Sequence, residues 1–223
     1  MRPTVREHKI IVEDGVVAGN AYDKYGTRNP LARVMMNNFL ATFRELVRNT
    51  GASAAHEIGC GEGHLAVLLA REGLKVRASD FSHQVMAQAR QNAQAAGADV
   101  AFEVSSIYDL CPPAATAELV VCCEVLEHLP EPERALDILA SVAQPHLIVS
   151  VPREPVWRLL NMARGKYLGQ WGNTPGHLNH WSRRAFLRFI QHRLDVVECR
   201  SPFPWTMMRC RARTNSLAAS ARS

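Results

Sequence analysis

The 223-residue chain reads as an α/β protein built on a doubly wound, mostly parallel sheet. Three observations predict this. Short apolar runs alternate with amphipathic helix-length segments from residue 54 to residue 151. The first run breaks at once into glycines at alternate positions, Gly59, Gly61 and Gly63. Glycines so spaced turn a strand sharply into a helix and let backbone approach a ligand. The next run ends in an acid, Asp80, at the distance where a nucleotide-binding unit holds a ribose hydroxyl pair.

Residues 1–20 carry no clear period and are expected to be irregular. Pro30 suits the first turn of a helix, and Val34, Met35, Phe39, Phe43, Leu46 and Val47 recur at helical spacing until Gly51 closes it. Strands are then predicted at Ala54–Ile58, Leu74–Ser79, Val100–Ser105, Leu119–Cys123 and Leu147–Val151. The helices between them start at Leu65, after Ser82 and at Pro132, with Gly73 and Gly97 as stops. Leu119–Cys123 is apolar throughout, as a strand buried on both faces requires. The pattern breaks over residues 153–180, which mix tryptophans, glycines and arginines and read as a lid inserted after the fifth strand. Ser182 caps a last helix, Arg183–His192. Leu194–Cys199 and Trp205–Cys210 close the sheet; the link between them is too short for a crossover, so they should pair antiparallel. One domain, 21–211, is expected, followed by a small, polar, disordered tail from 212 to 223.

Hydrophobic residues make up 47% of the chain, enough for a buried core. No apolar run reaches the roughly 18 residues of a membrane span, and the start lacks the apolar centre of a secretory signal. None of Cys60, Cys111, Cys122, Cys123, Cys199 and Cys210 forms a C-x-x-C pair. They read as free thiols, which favours a cytoplasmic setting. Charge is unevenly spread. Residues 151–223 hold 13 Lys and Arg against 3 Asp and Glu, whereas the first 150 hold 13 against 18. The basic last third is either a solvated surface or a face for an anionic acceptor, an anionic lipid surface or nucleic acid.

The glycine loop carries acids on both sides, Glu57 and Glu62. A dinucleotide loop, G-x-G-x-x-G, has another spacing and holds pyrophosphate. Acids here suit a ligand with a positive end. On these residues the chain resembles the class I S-adenosylmethionine (SAM) dependent methyltransferases of small-molecule type, and the resemblance extends over most of residues 22–211. It implies a Rossmann-like seven-stranded sheet with an antiparallel last strand, and SAM as cofactor. It also implies that Glu57, Gly59, Cys60, Gly61 and Gly63 line the methionine and ribose part, that Asp80 takes the ribose hydroxyls, and that Phe81 packs on adenine. Ser106, followed by Ile107, stands where the family often has an Asp toward the adenine amino group. Cys123-Glu124-Val125-Leu126-Glu127-His128 is similar to the family segment at the mouth of the site, with Cys123 and Glu124 toward the methionine end.

His128 and His177 are the candidate catalytic bases, because an imidazole near neutral pH can take a proton as the methyl arrives. Tyr25, Glu127, Trp157, Arg158 and His180 are assigned to the acceptor side; Tyr22 and Tyr25 equally suit packing on the first helix. His177 and His180 have metal-like spacing, yet their segment offers no Cys or acid to complete a ligand set, so no metal is expected. His56 and His64 are discounted as ligands. The acceptor expected is a small molecule methylated on O or N, with an anionic group held by the basic residues. Nucleic acid is not expected, since no stacking platform or added domain is visible. Residues 155–171 could also rest on a membrane surface. A lipid-linked or macromolecular acceptor, and a SAM-binding protein without catalysis, are the competing readings. A nicotinamide oxidoreductase fails on the glycine spacing and on Glu57.

Overall fold

The computed structural model describes residues 11–13, 16–19, 27, 29–165 and 167–213. The chain runs β1 Ile11–Glu13, β2 Val16–Ala18, α1 Pro30–Arg48, β3 Ala54–Ile58, α2 His64–Arg71, β4 Lys75–Asp80, α3 His83–Ala96, β5 Val100–Val104, β6 Ala117–Cys123, α4 Pro132–Val142, β7 Ala143–Pro152, α5 Val156–Ala163, α6 Arg183–Gln191, β8 Leu194–Arg200 and β9 Trp205–Ala212. The seven-stranded sheet has the order β5-β4-β3-β6-β7-β9-β8, and β9 alone runs antiparallel to its neighbours. This is the predicted α/β architecture, including the closing antiparallel pair.

Three segments differ from the sequence expectation. Residues 11–18, read as irregular, form an antiparallel hairpin with Ile11 opposite Ala18. Its Glu13 carboxylate accepts hydrogen bonds from Ser82 Oγ at 2.5 Å and from the His83 amide at 3.2 Å. A three-residue strand carries too little apolar pattern to be read alone; it is pinned by a carboxylate at a helix N-terminus. β7 begins at Ala143, four residues before the expected start, because α4 passes straight into the strand through Gln144 and Pro145. The lid contains a helix, α5. Tyr22, Tyr25 and the tail beyond Arg213 lie outside the described residues.

The elements form for local reasons that the structure makes explicit. Asn29 Oδ1 caps α1 by accepting from the Leu31 and Ala32 amides at 2.9 and 3.2 Å. The stripe Met36, Phe39, Phe43, Leu46 and Val47 then faces the sheet. Ser82 and Ser182 cap α3 and α6 in the same manner. In β6, Leu119, Val121 and Cys123 face the α1–α2 side while Val120 and Cys122 face α4 and α6. Adjacent Cys122 and Cys123 therefore point to opposite faces, as strand alternation demands. All six cysteines are free. No helix among the described residues is long and apolar enough to cross a membrane.

The direction of the chain's progress across the sheet reverses between β3 and β6. That switch point opens a crevice at the carboxyl ends of the strands. Behind it, His56 is buried at 1% exposure, with Nδ1 3.1 Å from the Ala115 carbonyl oxygen and Nε2 2.9 Å from Ser79 Oγ. A carbonyl only accepts, so Nδ1 carries the proton and Nε2 accepts from the Ser79 hydroxyl. His56 is thus a structural tie between β3, β4 and the loop before β6. Burial, against a smaller opposing pull from the Ala115 carbonyl, pushes its pKa down from 6.5 to about 4. On acidification the unfolded chain takes up this proton first. Stability present above pH 6.5 is therefore lost as pH falls toward 4, by an amount on the order of 3 kcal/mol. Thermal melts across this range should show a smaller acid-side drop in Tm for His56→Gln than for the wild type; parallel pH profiles would contradict the assignment.

Candidate active site

The crevice is a cavity of about 580 Å³. Its floor is the loop between β3 and α2. Glu57, 4% exposed, stands one residue before the end of β3, and Gly59, Cys60 and Gly61 follow along the wall. Gly59, Gly61 and Gly63 all have positive φ, at 73°, 54° and 77°. Their reasons differ. A Cβ on Gly59 would stand 2.4 Å from Val125 Cγ2, so this glycine lets the loop touch the segment after β6. A Cβ on Gly63 would meet Ala89 and Phe102 at 3.2 and 3.3 Å; its part is helix packing, and it does not line the cavity. A Cβ on Gly61 would meet nothing nearer than Gly19 Cα at 3.9 Å and would project toward open space in the cavity wall.

Asp80 stands at the end of β4, 6% exposed. Its Oδ2 accepts from the Gly61 amide at 3.0 Å and its Oδ1 from the Ser82 amide at 3.1 Å. Burial pushes the Asp80 carboxyl up, and these two amides pull it back. The same field acts on Cys60. Burial first, then the charges of Glu57 and Asp80, drive its thiol well above the ordinary cysteine range. A protonated thiol is inert, and a negative potential of this kind favours a cation in the cavity. Phe81, Ile107 and Val125 add apolar wall. The donor set therefore fits the cofactor implied by the sequence: acids for a cationic end and a diol, glycine backbone for close approach, and apolar surface for a flat base.

Ser106 also lines the cavity, but its hydroxyl accepts from the Tyr108 amide at 3.3 Å and caps a single 3-10 turn, Ile107–Asp109. Asp109, which reads from sequence as a turn residue, lines the cavity as well. Glu124 adopts φ 61°, unusual for a residue with a side chain. Its carboxylate accepts from Ser150 Oγ at 3.0 Å and from Trp205 Nε1 at 2.6 Å. Those two bonds hold the backbone of Cys123, Glu124 and Val125 against the mouth of the cavity despite the strain.

On the acceptor side the structure sorts the candidates. His128 lines the cavity. His177, 9% exposed, stacks edge-on against it with ring centres 4.8 Å apart. Glu127 is buried directly beside them. Trp157 does not line the cavity; it packs on Trp205 at 5.7 Å and donates from Nε1 to Thr174 Oγ1 at 2.9 Å. An indole at that position is part of the lid's attachment. Arg158 and His180 likewise lie off the cavity wall, and His180 Nε2 donates to Asn173 Oδ1 at 2.7 Å. Burial, and then the nearby Arg158 charge, hold the His180 imidazole below its ordinary value. Tyr25 lies outside the described residues. The wall also contains Gly19, Phe39, His64, Leu65 and Tyr108, to which the sequence assigns no role in the cleft; His64 is discounted there only as a metal ligand, and Gly19 and Phe39 come from segments with no motif signal.

Comparison with known proteins places this geometry. Residues 55–146 match a family described as "Methyltransferase domain". Over 211 residues the chain is 30% identical to the ubiquinone biosynthesis O-methyltransferase of Xylella fastidiosa strain M23, covering 87% of this chain and 82% of that relative. The protein of the same description from Xanthomonas axonopodis pv. citri is 29% identical over 174 residues, with 72% and 70% covered. Among solved structures, magnesium protoporphyrin IX methyltransferase from Synechocystis PCC 6803 with bound SAH superimposes with a TM-score of 0.65 at 19% identity, covering 84% of this chain and 90% of that one. At that identity the likeness is one of fold.

The two glycines predict separable defects. Gly61→Ala should fold, at a cost of about 1 kcal/mol for its positive φ, and weaken S-adenosylhomocysteine binding by tenfold or more in calorimetry. Gly59→Ala must displace Val125 and should lower Tm more. Equal melting losses with unchanged binding in Gly61→Ala would contradict this account of the loop.

Proposed function

The chain belongs to the class I S-adenosylmethionine-dependent methyltransferases, and from that premise we propose that it methylates an oxygen of a small hydroxylated acceptor. The single observation that carries the reading is the placement of His128, on the cavity wall and stacked on His177, at the mouth of an acid-lined cofactor cleft. The relatives described as O-methyltransferases support oxygen as the acceptor atom. Bound SAM supplies an activated methyl on a sulfonium. What remains for the protein is to bind, align, exclude water and accept a proton.

In this reading Asp80, oriented by the Gly61 and Ser82 amides, takes the ribose hydroxyls. Glu57 faces the cationic end, and Phe81 with Ile107 covers the base. Cys123 and Glu124 present backbone toward the methionine end. His128 and His177 receive the acceptor hydroxyl and take its proton, with buried Glu127 stabilising the charge that then develops. The lid closes the acceptor side. It is stapled by Asn161, whose Nδ2 donates to the Gly172 carbonyl at 2.9 Å and to Thr174 Oγ1 at 3.1 Å. The basic charge of residues 151–213 suits an acceptor with an anionic group.

His128→Ala and His177→Ala should each lower kcat for a hydroxylated acceptor by about 100-fold while leaving S-adenosylhomocysteine affinity almost unchanged. Full activity in both variants would refute deprotonation by this pair.

A second element rests on a separate observation. Leu159, Leu168 and Trp171 on the lid are 56%, 61% and 78% exposed, with exposed Arg164 nearby. This surface suits contact with an anionic lipid layer from which an apolar acceptor is taken. Flotation with anionic vesicles should carry the wild type and lose Leu168→Ser/Trp171→Ser; no flotation of the wild type rejects it.

A further inference from the structure

We propose that Asp109 selects the base of the cofactor, its carboxylate accepting a hydrogen bond from the exocyclic amino group of adenine. That role deepens the reading above and rests on it, because it needs the base of SAM to lie against Phe81 and Ile107. Three observations carry it. First, Asp109 lines the cavity from the same short turn as Ile107, two residues further on. An acid therefore stands beside the apolar wall on which a flat base lies, in a place where its oxygens meet the edge of a ring and not its face.

Second, the fold gives this carboxylate no task of its own. Ser106-Ile107-Tyr108-Asp109 has the pattern of a capping box, in which the acid reaches back to the amide of the capping serine. Only the serine half is made. Ser106 Oγ accepts from the Tyr108 amide at 3.3 Å, whereas among the described residues no group donates to the Asp109 carboxylate. The turn closes through main chain instead, the Asp109 amide donating to the Ser106 carbonyl at 3.1 Å. Asp109 is an exposed side chain on the cavity wall, kept out of the hydrogen bonding that builds its own turn.

Third, the other polar side chains around the base are committed. The Ser106 hydroxyl holds the turn, and Ser105 Oγ donates to the Ser106 carbonyl at 3.4 Å. Asp80 is held by the Gly61 and Ser82 amides at the ribose position. A carboxylate only accepts, so it suits an amino group. A purine with a carbonyl oxygen in that place would set acceptor against acceptor. A bond to a charged acceptor is also stronger than one to a neutral hydroxyl. Asp109 thus makes the cleft specific for adenine although Ser106 carries no charge.

The test is calorimetric titration of the full chain with S-adenosylhomocysteine and with its analogue whose base is plain purine, hydrogen replacing the amino group. The wild type should bind S-adenosylhomocysteine about tenfold more tightly than the analogue. Asp109→Ala should bind the two alike, and Asp109→Asn, which keeps an acceptor without the charge, should restore part of the preference. Circular dichroism melts on the same samples should show all variants folded, since the Asp109 side chain does not build the turn. Equal affinities in the wild type, or a preference unchanged in folded Asp109→Ala, overturns the proposal. So does a preference that disappears in folded Ser106→Ala and survives in Asp109→Ala, which would assign the contact to the serine. Failure of the wild type to bind either ligand is a different result: it removes the cofactor reading, and the role of Asp109 falls with it.

Discussion

The hydrogen bond from the Gly61 amide to the Asp80 carboxylate joins the two loops on which the cleft depends. It links the turn after β3 to the end of β4. With the Ser82 amide on the other oxygen, it fixes the carboxyl in place and opposes the upward push that burial gives its pKa. Every other feature of the cleft is arranged around this pair. Glu13 of the N-terminal hairpin holds Ser82 and His83 from outside, so the hairpin is tied to the same corner. Val125 packs into the space left by the missing side chain of Gly59, which brings the segment after β6 against the loop. The switch point of the sheet supplies the crevice, and these contacts convert it into a site with an acidic floor.

The acceptor side is held by other means. Its groups lie on irregular chain, which is mobile unless tied down. Here the ties are explicit. Glu124 accepts a positive φ because Ser150 and Trp205 grip its carboxylate. The Glu127 carbonyl receives two amides from the Leu178 region, and Asn161 and Trp157 converge on Thr174. The segment 153–180 is thus fastened to the mouth of the cleft by main-chain hydrogen bonds. The geometry of His128 and His177 follows from that fastening and not from regular secondary structure.

How much of this could be read from residues alone follows from the range of each interaction. The strands, the capped helices and the glycine loop were legible because their determinants are local: apolar period, a capping Ser or Asn, a glycine where φ must be positive. Asp80 and Phe81 were legible through fixed spacing from the loop. The hairpin at 11–18 was not, because Glu13 acts across about 70 residues on Ser82. Trp157 read as a pocket residue, since an aromatic in a basic, glycine-rich insert suggests a ligand; the fold turns it onto Trp205 instead. Gly63 read as part of the ligand loop, whereas its Cβ space is taken by Ala89 and Phe102. His128 and His177 each read as a candidate base, but their contact was not legible, because two segments contribute to it and only the path of residues 153–180 brings them together.

The central claim is that the acid-lined cleft binds SAM through Asp80. Calorimetric titration of the full chain with S-adenosylhomocysteine, beside Asp80→Ala, tests it most directly. The account predicts one site of micromolar affinity in the wild type and at least a tenfold loss in a variant that remains folded. Absence of binding in the wild type, or undiminished binding in folded Asp80→Ala, would contradict it.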